Sequence, residues 1–493
     1  MSDAATLAPL DATTVPVPDL PVTILQFGGG KFLRAFVDQM VQQANDAGVM
    51  HDGVAIVQPT DHPNRPTNVL REQDGLYHVV LEGVREGRPV REVTRVECVR
   101  EIVRAHDEFE RYRRLYLSPD LRMIVSNTTE AGIVWAPGDD LGARPPSSFP
   151  GKVAALLHDR YEHFGGDPAA GLAIVCCELI EDNATTLRRY VLRHAADAGL
   201  GEGFASWVRT ACTFHDSLVD RIVPGFPEGE IDAIQAELGF VDRDVVKGEL
   251  YAQWVIGGDP AIRELLPLDR AGLPVQFMSD VHPFRATKVK ILNGQHTLLA
   301  PLGLLLGCES VRETVGRRDV GSYLTRLLRT EILPTVPGDP REVGAFAAKI
   351  AERFTNPYLH HHLSDITLNA LSKWQARNLP VVLDAWDAVR EAPLTVFGLA
   401  ATLVLWSGEV VVPGFEPRDE AAVLAAARDG FAEADLVGWV RRVLDAAGIL
   451  RDDDRAARLA SETAAHAAAI LRDGAHAALL DLRAPASTGP ARA

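Results

Sequence analysis

The N-terminal part of the chain alternates short, wholly apolar runs with amphipathic helical segments, and that alternation limits the fold more than any other feature. PVTILQFG (21–28), VAIVQPT (54–60), LRMIVSNTT (121–129) and GLAIVCCELI (171–180) read as strands buried on both faces, because they lack the polar alternation of a half-exposed strand. KFLRAFVDQMVQQANDAG (31–48), HDEFERYRRLYLS (106–118), FPGKVAALLHDRYEHFG (149–165) and NATTLRRYVLRHAADAG (183–199) carry helical period between them. Residues 76–103 read as β-hairpin material turning at Glu86-Gly87. The pattern implies a parallel sheet covered on both faces, an α/β fold of the Rossmann-like doubly wound kind. From about Lys288 helical period takes over, in segments such as KVKILNGQHTLLAPLGLLLG, EVGAFAAKIAERF and LSDITLNALSKWQARNL. Only GEVVVPG (408–414) still reads as a strand. A Rossmann-like domain over 1–277 and a mostly α-helical domain over 278–493 are therefore expected.

Composition narrows the partners. The 493 residues, 47% hydrophobic, suffice for two large cores. A net charge of −17 argues against nucleic acid or an anionic membrane surface as partner, while leaving room for an anionic small molecule in a locally basic pocket. The five cysteines form no CxxC pair, and Cys176-Cys177 read as reduced core residues. The Pro/Thr/Asp-rich opening of residues 1–20 and the tail from Ala484 read as loose ends. The opening lacks the pattern of a secretory signal, and no apolar stretch approaches the ~20 residues of a membrane helix, so a cytoplasmic location is expected. The sequence does not fix the oligomeric state, although a monomer is plausible. His360-His361-His362 is the one tempting metal cluster, but neighbours on a helix point apart, and no metal is expected.

Gly28, Gly29 and Gly30 fall between the first strand and the first helix. A dinucleotide fold needs glycine there for a tight turn and for close approach of the pyrophosphate, which then meets free N–H groups at the helix start. A third fingerprint glycine is missing, since Leu33 holds its place, and a ligand-free glycine turn is the competing reading. Asp61, just past the second strand, could hold an adenosine ribose and would prefer NAD to NADP, or could be a loop carboxylate. Ser126-Asn127-Thr128-Thr129-Glu130 follows the third strand, at the edge where ligands bind, and also matches a helix-capping box.

The segment HPFRATKVKILNGQHTLLAPLG (282–303) carries the chemistry. At ~100° per residue, Lys288, Asn293 and His296 fall at about 0°, 140° and 80° on a continuous helix. Asn293-Gly294 is a poor helix pair and could instead mark a turn between two helices. Reduction of a ketone needs a proton donor and groups that polarise the carbonyl. A lysine partly buried between domains suits the first role, and an Asn amide with a His N–H suits the second. Taken singly, the three are also ordinary surface or core residues.

LQFGGGKFLRAFVD (25–38), QDGLYHVV (73–80), VSNTTEAGI (125–133), CELIEDN (177–183), SLVDRIVPG (217–225), WVIGG (254–258), KVKILNGQHT (288–297), RFTNPYLHH (353–361) and SKWQARNLP (372–380) occur in this order. Together they resemble the polyol-specific long-chain dehydrogenase/reductase (mannitol dehydrogenase) family, and within it the uronate-acting branch. The resemblance implies NAD-dependent, reversible reduction of D-tagaturonate to D-altronate. Fructuronate reductase or polyol 2-dehydrogenase activity is the alternative within the family, and a non-catalytic dinucleotide-binding sensor is the alternative outside it. The family's K-x4-N-x2-H pattern falls on Lys288, as proton donor, with Asn293 and His296. The cofactor-binding residues implied are Phe27, Gly28, Gly29, Gly30, Lys31, Phe32, Asp61, Asn127 and Thr128. An oxyanion-holding Asn of the mannitol branch is Leu179 here, with Asn183 one helical turn on as a substrate contact. A Glu of that branch is Arg285, which suits a carboxylate-bearing substrate. Arg353, His361 and Lys373 are the further substrate contacts implied, with an interhelical ion pair as the other reading of Arg353 and Lys373.

Overall fold

The computed structural model describes residues 7–61, 65–128, 132–358, 361–449 and 453–482. Thr129, Glu130, His360 and the tail from Ala484 lie outside the described residues. The chain divides into two compact units. One holds the described residues up to Gly83 together with Pro89–Val281, and the other holds Val84–Arg88 with the described residues from His282 onward.

In the first unit six parallel strands form the central sheet: β1 (Val22–Phe27), β2 (Gly53–Gln58), β3 (Val99–Arg104), β4 (Met123–Ser126), β5 (Ala173–Cys176) and β6 (Thr213–His215). Their order across the sheet is β3-β2-β1-β4-β5-β6, the doubly wound arrangement whose direction reverses between β1 and β4. Alternate residues serve opposite faces. Ile24, Ile56, Val125 and Val175 join one hydrophobic cluster, while Leu25, Val57, Ile124 and Ile174 join the other. Apolar residues at every position are thus a direct consequence of two covered faces. Cys176 and Cys177 fall on opposite sides of the sheet, and all five cysteines are buried free thiols.

Two expectations change here. The hairpin is made by Tyr77–Arg85 and Arg88–Val96, turning at Glu86 (φ 54°) and Gly87 (φ 73°), but Val99–Arg104 leaves it to become the outer strand β3. The opening segment is anchored, since Ala8–Pro9 pairs with Phe240–Val241, and Leu10 and Val15 pack with Leu76.

The first helix is continuous but irregular: Lys31–Leu33, a π turn Arg34–Asp38, then Gln39–Asp46. A π turn bonds i to i+5 and takes one residue more than an α turn, which leaves main-chain groups to be satisfied from outside. Tyr77 donates its hydroxyl to the Arg34 carbonyl (3.0 Å), and buried Arg221 donates Nη1 to the Ala35 carbonyl (2.5 Å). The same Tyr77 hydroxyl lies 3.0 Å from Oδ2 of Asp38, which is fully buried, and Gln26 Nε2 lies 3.4 Å from that oxygen. Burial, opposed by these contacts, raises the Asp38 carboxyl to about 7.

The second unit is helical. Its centre is Pro393–Ser407, buried along nearly its whole length and packed on Gln295–Leu305 and Asp453–Asp481. At Gly398 an added Cβ would come within 2.4 Å of Leu298, so the crossing with Gln295–Leu305 requires glycine. Buried Glu331 accepts from the N–H groups of Leu394 and Thr395 (2.8 Å each) and from the Thr395 hydroxyl (2.7 Å), capping the central helix from outside it. GEVVVPG is not a strand. It follows the helix end at Gly408 (φ 81°), Val411 is 83% exposed, and Pro413 denies the run a ladder donor. Among the described residues, no helix is long and apolar enough to cross a membrane.

Two stability predictions follow from these buried carboxyls. The folded state holds the Asp38 proton more tightly than the unfolded chain, whose carboxyl ionises near 3.8. Its contribution is complete at low pH and is lost as pH rises through about 7. Asp38→Asn, which cannot ionise, should lose less of its thermal midpoint than wild type between about pH 4 and about pH 7, by ~2 °C or more. An unchanged slope in calorimetry would mean that Asp38 is already charged in the fold. Glu331→Ala leaves the central helix uncapped and should cost about 2 kcal/mol or more in denaturant unfolding. A loss within error would show that the cap is dispensable.

Candidate active site

The glycine turn sits at the carboxyl end of β1, where the strand order reverses. Gly28 has φ +113°, and a Cβ there would stand 3.2 Å from the Asn127 carbonyl at the end of β4, so turn and neighbouring loop approach too closely for a side chain. At Gly30 an added Cβ would meet nothing within 4 Å. The turn is fixed from below. Gln26 Nε2 donates to the Gly28 carbonyl (3.1 Å), and Arg34 Nε donates to the Gly29 carbonyl (3.1 Å). Arg34 is itself buried, 2.7 Å from Asp244, whose carboxyl burial raises to about 6 against the pull of Arg34. With two of its carbonyls bound below, the turn leads into a helix start that carries no acidic residue in its first turn, the arrangement that receives a phosphate.

The other cofactor-side residues differ in what they can offer. Phe27 is wholly buried, its ring 5.1 Å from Phe149, so only its backbone can face a ligand. Phe32 stacks on Phe36 at 4.9 Å, and Lys31 donates Nζ to the Pro224 carbonyl at 2.7 Å. Asp61 is exposed, three residues past the end of β2. Asn127 donates Nδ2 to the Cys177 carbonyl (3.0 Å). Thr128 binds Glu178 through both its N–H and its hydroxyl (2.9 Å each), and Ser126 Oγ donates to the other oxygen of the same carboxylate (3.0 Å). Glu178, buried and shifted upward by that burial, therefore ties the ends of β4 and β5 together. Asn183 is 1% exposed and its amide is taken up by the backbone: Nδ2 donates to the carbonyls of Cys176, Glu178 and Ser217, and Oδ1 accepts from Ala184 and Ser217. It is placed as a loop holder, while Leu179 is 61% exposed.

In the second unit, Lys288 and Asn293 sit on a helix that does not break. His282–Lys288 passes through a π turn, Val289–Gly294, into Gln295–Leu305, with Lys288 and Gly294 both in helical conformation. The regular 100° spacing therefore does not hold, and Asn293-Gly294 ends nothing. Because a π turn closes over five residues, the angular separation of Asn293 from Lys288 around the helix is smaller than regular α geometry gives, with His296 one further turn along. The Gly294 carbonyl accepts from Asn378 Nδ2 at 3.2 Å. Lys288 is 9% exposed, whereas neighbouring Lys290 is tied to Asp384 and the Thr335 carbonyl (2.8 Å each) and is structural.

The His296 ring lies 4.5 Å from Phe354 and 5.1 Å from His361. Burial, then Arg353, pushes the His361 imidazole below its usual range, so Arg353 is electrostatically close. Lys373 donates Nζ to the Ile366 carbonyl (3.0 Å), and its pKa is lowered by burial and by Arg377. Arg285 is half-buried, one turn before Lys288. His361 thus stands against His296, with Arg353 and the opposing Asp365 acting on it, while Lys373 stands near Arg377. Among the described residues no His/Cys/Asp/Glu group could hold a metal ion. Gln26, Asp38, Glu178, Arg377 and Asn378 are not singled out by sequence reasoning. All of them lie inside the quoted segments or next to the glycines, which is the only signal that marked them.

Comparison with known proteins agrees with this geometry. Residues 22–269 match the mannitol dehydrogenase Rossmann domain and residues 280–433 match the mannitol dehydrogenase C-terminal domain. The chain is 40% identical to an altronate oxidoreductase of Bacillus subtilis (strain 168), over 84% of this chain and 85% of the relative. It is 36% identical to an altronate oxidoreductase of Phocaeicola vulgatus, over 84% and 87%. In fold it resembles a D-sorbitol dehydrogenase (TM-score 0.79, 21% identity, 96% and 100% covered). It also resembles Pseudomonas fluorescens mannitol 2-dehydrogenase, solved with NAD and D-mannitol (TM-score 0.69, 21% identity, 94% of each). With both domains matched in order, the chain belongs to the mannitol dehydrogenase family of oxidoreductases acting on CH–OH groups.

Proposed function

We propose that this enzyme is an NAD-dependent ketohexuronate reductase that interconverts D-tagaturonate and D-altronate. The observation that carries the reading is the set Lys288, Asn293 and His296 on one unbroken helix, with His361 against the His296 ring and Arg353 acting on His361. The altronate oxidoreductases at 36–40% identity support the same substrate. The glycine turn fits a dinucleotide, with open room at Gly30 and the loop carbonyls held away below. Gly28–Gly30 and the N–H groups at the start of the first helix would take the pyrophosphate. Asp61 would take the ribose, and the ends of Asn127 and Thr128 the nicotinamide side. NAD(H), when bound, supplies or accepts the hydride.

The chain's own residues manage charge and protons. Asn293 Nδ2–H and a His296 ring N–H donate to the substrate carbonyl oxygen, drawing electron density toward it and holding the alkoxide that develops. Lys288 Nζ–H then passes its proton to that oxygen, so ketone, hydride and one proton give the alcohol. Oxidation of the alcohol runs the same transfers backward, with neutral Lys288 as base. Arg353 and Lys373 would offer the substrate carboxylate a counter-charge.

NADH consumption with D-tagaturonate, fructuronate, fructose and, in reverse, mannitol should show D-tagaturonate with the highest kcat/KM. A preference for fructose or mannitol would overturn the uronate reading. Lys288→Ala should cut kcat by ~10²–10⁴-fold with NADH binding retained, and near-normal kcat would place the proton elsewhere. Gly30→Val should weaken NADH binding by about tenfold or more in a folded protein, and an unchanged fluorescence titration would remove the pyrophosphate from this turn.

A further inference from the structure

Arg377 is the last residue of the helix Ala370–Arg377 and is half-buried. Its Nη1 donates to Thr297 Oγ1 at 3.0 Å, and Thr297 Oγ1 lies 2.9 Å from the Asn293 carbonyl. The guanidinium thus stands beside the residue that follows His296, and one hydrogen bond from the backbone of Asn293. Burial lowers its pKa, and no carboxylate among the described residues draws it back up.

Several other sheltered arginines are met more fully. Arg71 meets Glu108 at 2.6 Å and Arg317 meets Asp319 at 3.0 Å. Arg221, buried more deeply, donates to the carbonyls of Ala35, Tyr251 and Leu250 and to the side chain of Gln39. Arg377 has neither a carboxylate nor a set of carbonyls. One turn before it on the same face is another cation, Lys373, and the two repel. Among the described residues the acid acting on Lys373 is Asp419, which is engaged by the Leu371 N–H and the Trp406 indole. A guanidinium offers five N–H donors in a planar fork, and one is used among the described residues. A sheltered cation with open donors calls for an anion, and the fork matches the two oxygens of a carboxylate.

We propose that Arg377 is the specificity residue of the site, pairing its guanidinium with the carboxylate of the substrate. This rests on the ketohexuronate reading and deepens it. Arg377 is then the fork that recognises the acid, and Lys373, an i−4 neighbour with its ammonium held by the Ile366 carbonyl, adds field without geometry. The Thr297 contact fixes the guanidinium relative to the helix that carries Asn293 and His296.

Arg377→Met keeps the length of the side chain and removes the fork. Steady-state kinetics on the full enzyme should show KM for D-tagaturonate raised by ~10²-fold or more, with kcat/KM for uncharged fructose changed by less than about threefold. Arg377→Lys should recover part of the loss, because a point charge attracts a carboxylate without matching it. Thr297→Val removes the contact that fixes the guanidinium but leaves the charge, and should lower the preference for tagaturonate over fructose by less than Arg377→Met does. Equal losses on tagaturonate and fructose in Arg377→Met, with NADH affinity unchanged, would overturn the proposal and make Arg377 a clamp. If Arg377→Met does not fold, the substrate ratio in Arg377→Lys decides, and an unchanged ratio there overturns the proposal. Failure of the underlying reading looks different, because wild type itself would then show no preference for tagaturonate over fructose.

Discussion

A helix that takes in an extra residue must have its displaced main-chain groups satisfied by something else, and much of this chain's chemistry depends on how that is done. The π turn of the first helix is met by Tyr77 and Arg221 at successive carbonyls, and the π turn after Lys288 has its Gly294 carbonyl met by Asn378. A third π turn, Leu328–Ile332, carries Glu331 to the start of the central helix, and the Thr335 hydroxyl donates to its Ile332 carbonyl at 2.8 Å. The first two irregular turns are held by side chains distant in sequence, and so are products of tertiary structure, whereas the third is met by a local hydroxyl. The gain is a change of face. Five-residue spacing brings Asn293 toward Lys288, which regular helix geometry would keep apart.

This explains what could and could not be read from the residues alone. The parallel sheet was legible because two covered faces demand apolar residues at every strand position, and Val22–Phe27, Gly53–Gln58 and Ala173–Cys176 answer with nearly unbroken burial. GEVVVPG misled for the opposite reason. Branched residues alone imitate a strand, but a strand needs a ladder partner, and this run leaves a helix through Gly408 and meets Pro413. The helix of Lys288 was legible as a helix but not in its winding. Periodicity assumes a constant pitch, and Asn293-Gly294 looked like a break when Gly294 is in fact buried in helical conformation.

The site divides along the same line. Lys288, Asn293, His296 and the three glycines stood out as candidates because chemistry and local conformation restrict which residue types suit the roles proposed for them. Gln26, Asp38 and Glu178 were not. A buried Gln or Glu in a strand-end segment looks like any polar residue until the fold shows Gln26 under the glycine carbonyl and Glu178 across two loop ends. Asn183 differs again. An amide near a ligand edge suggests contact with substrate, and the fold adds five hydrogen bonds from its side chain to backbone groups.

Charge has to be read on two scales in this molecule. Across the chain the net value of −17 repels an anion at long range. At physiological ionic strength that repulsion is screened beyond about 8 Å, so an anion close to the protein responds to the groups within that distance. Beside His296 stands His361, on which Arg353 and the opposing Asp365 act, and at the next residue Arg377, with Lys373 one helical turn from it. Partial burial weakens the screening of these groups further. An acidic chain can therefore take an acidic substrate without a basic face to steer it, because the attraction is set where the ligand is desolvated.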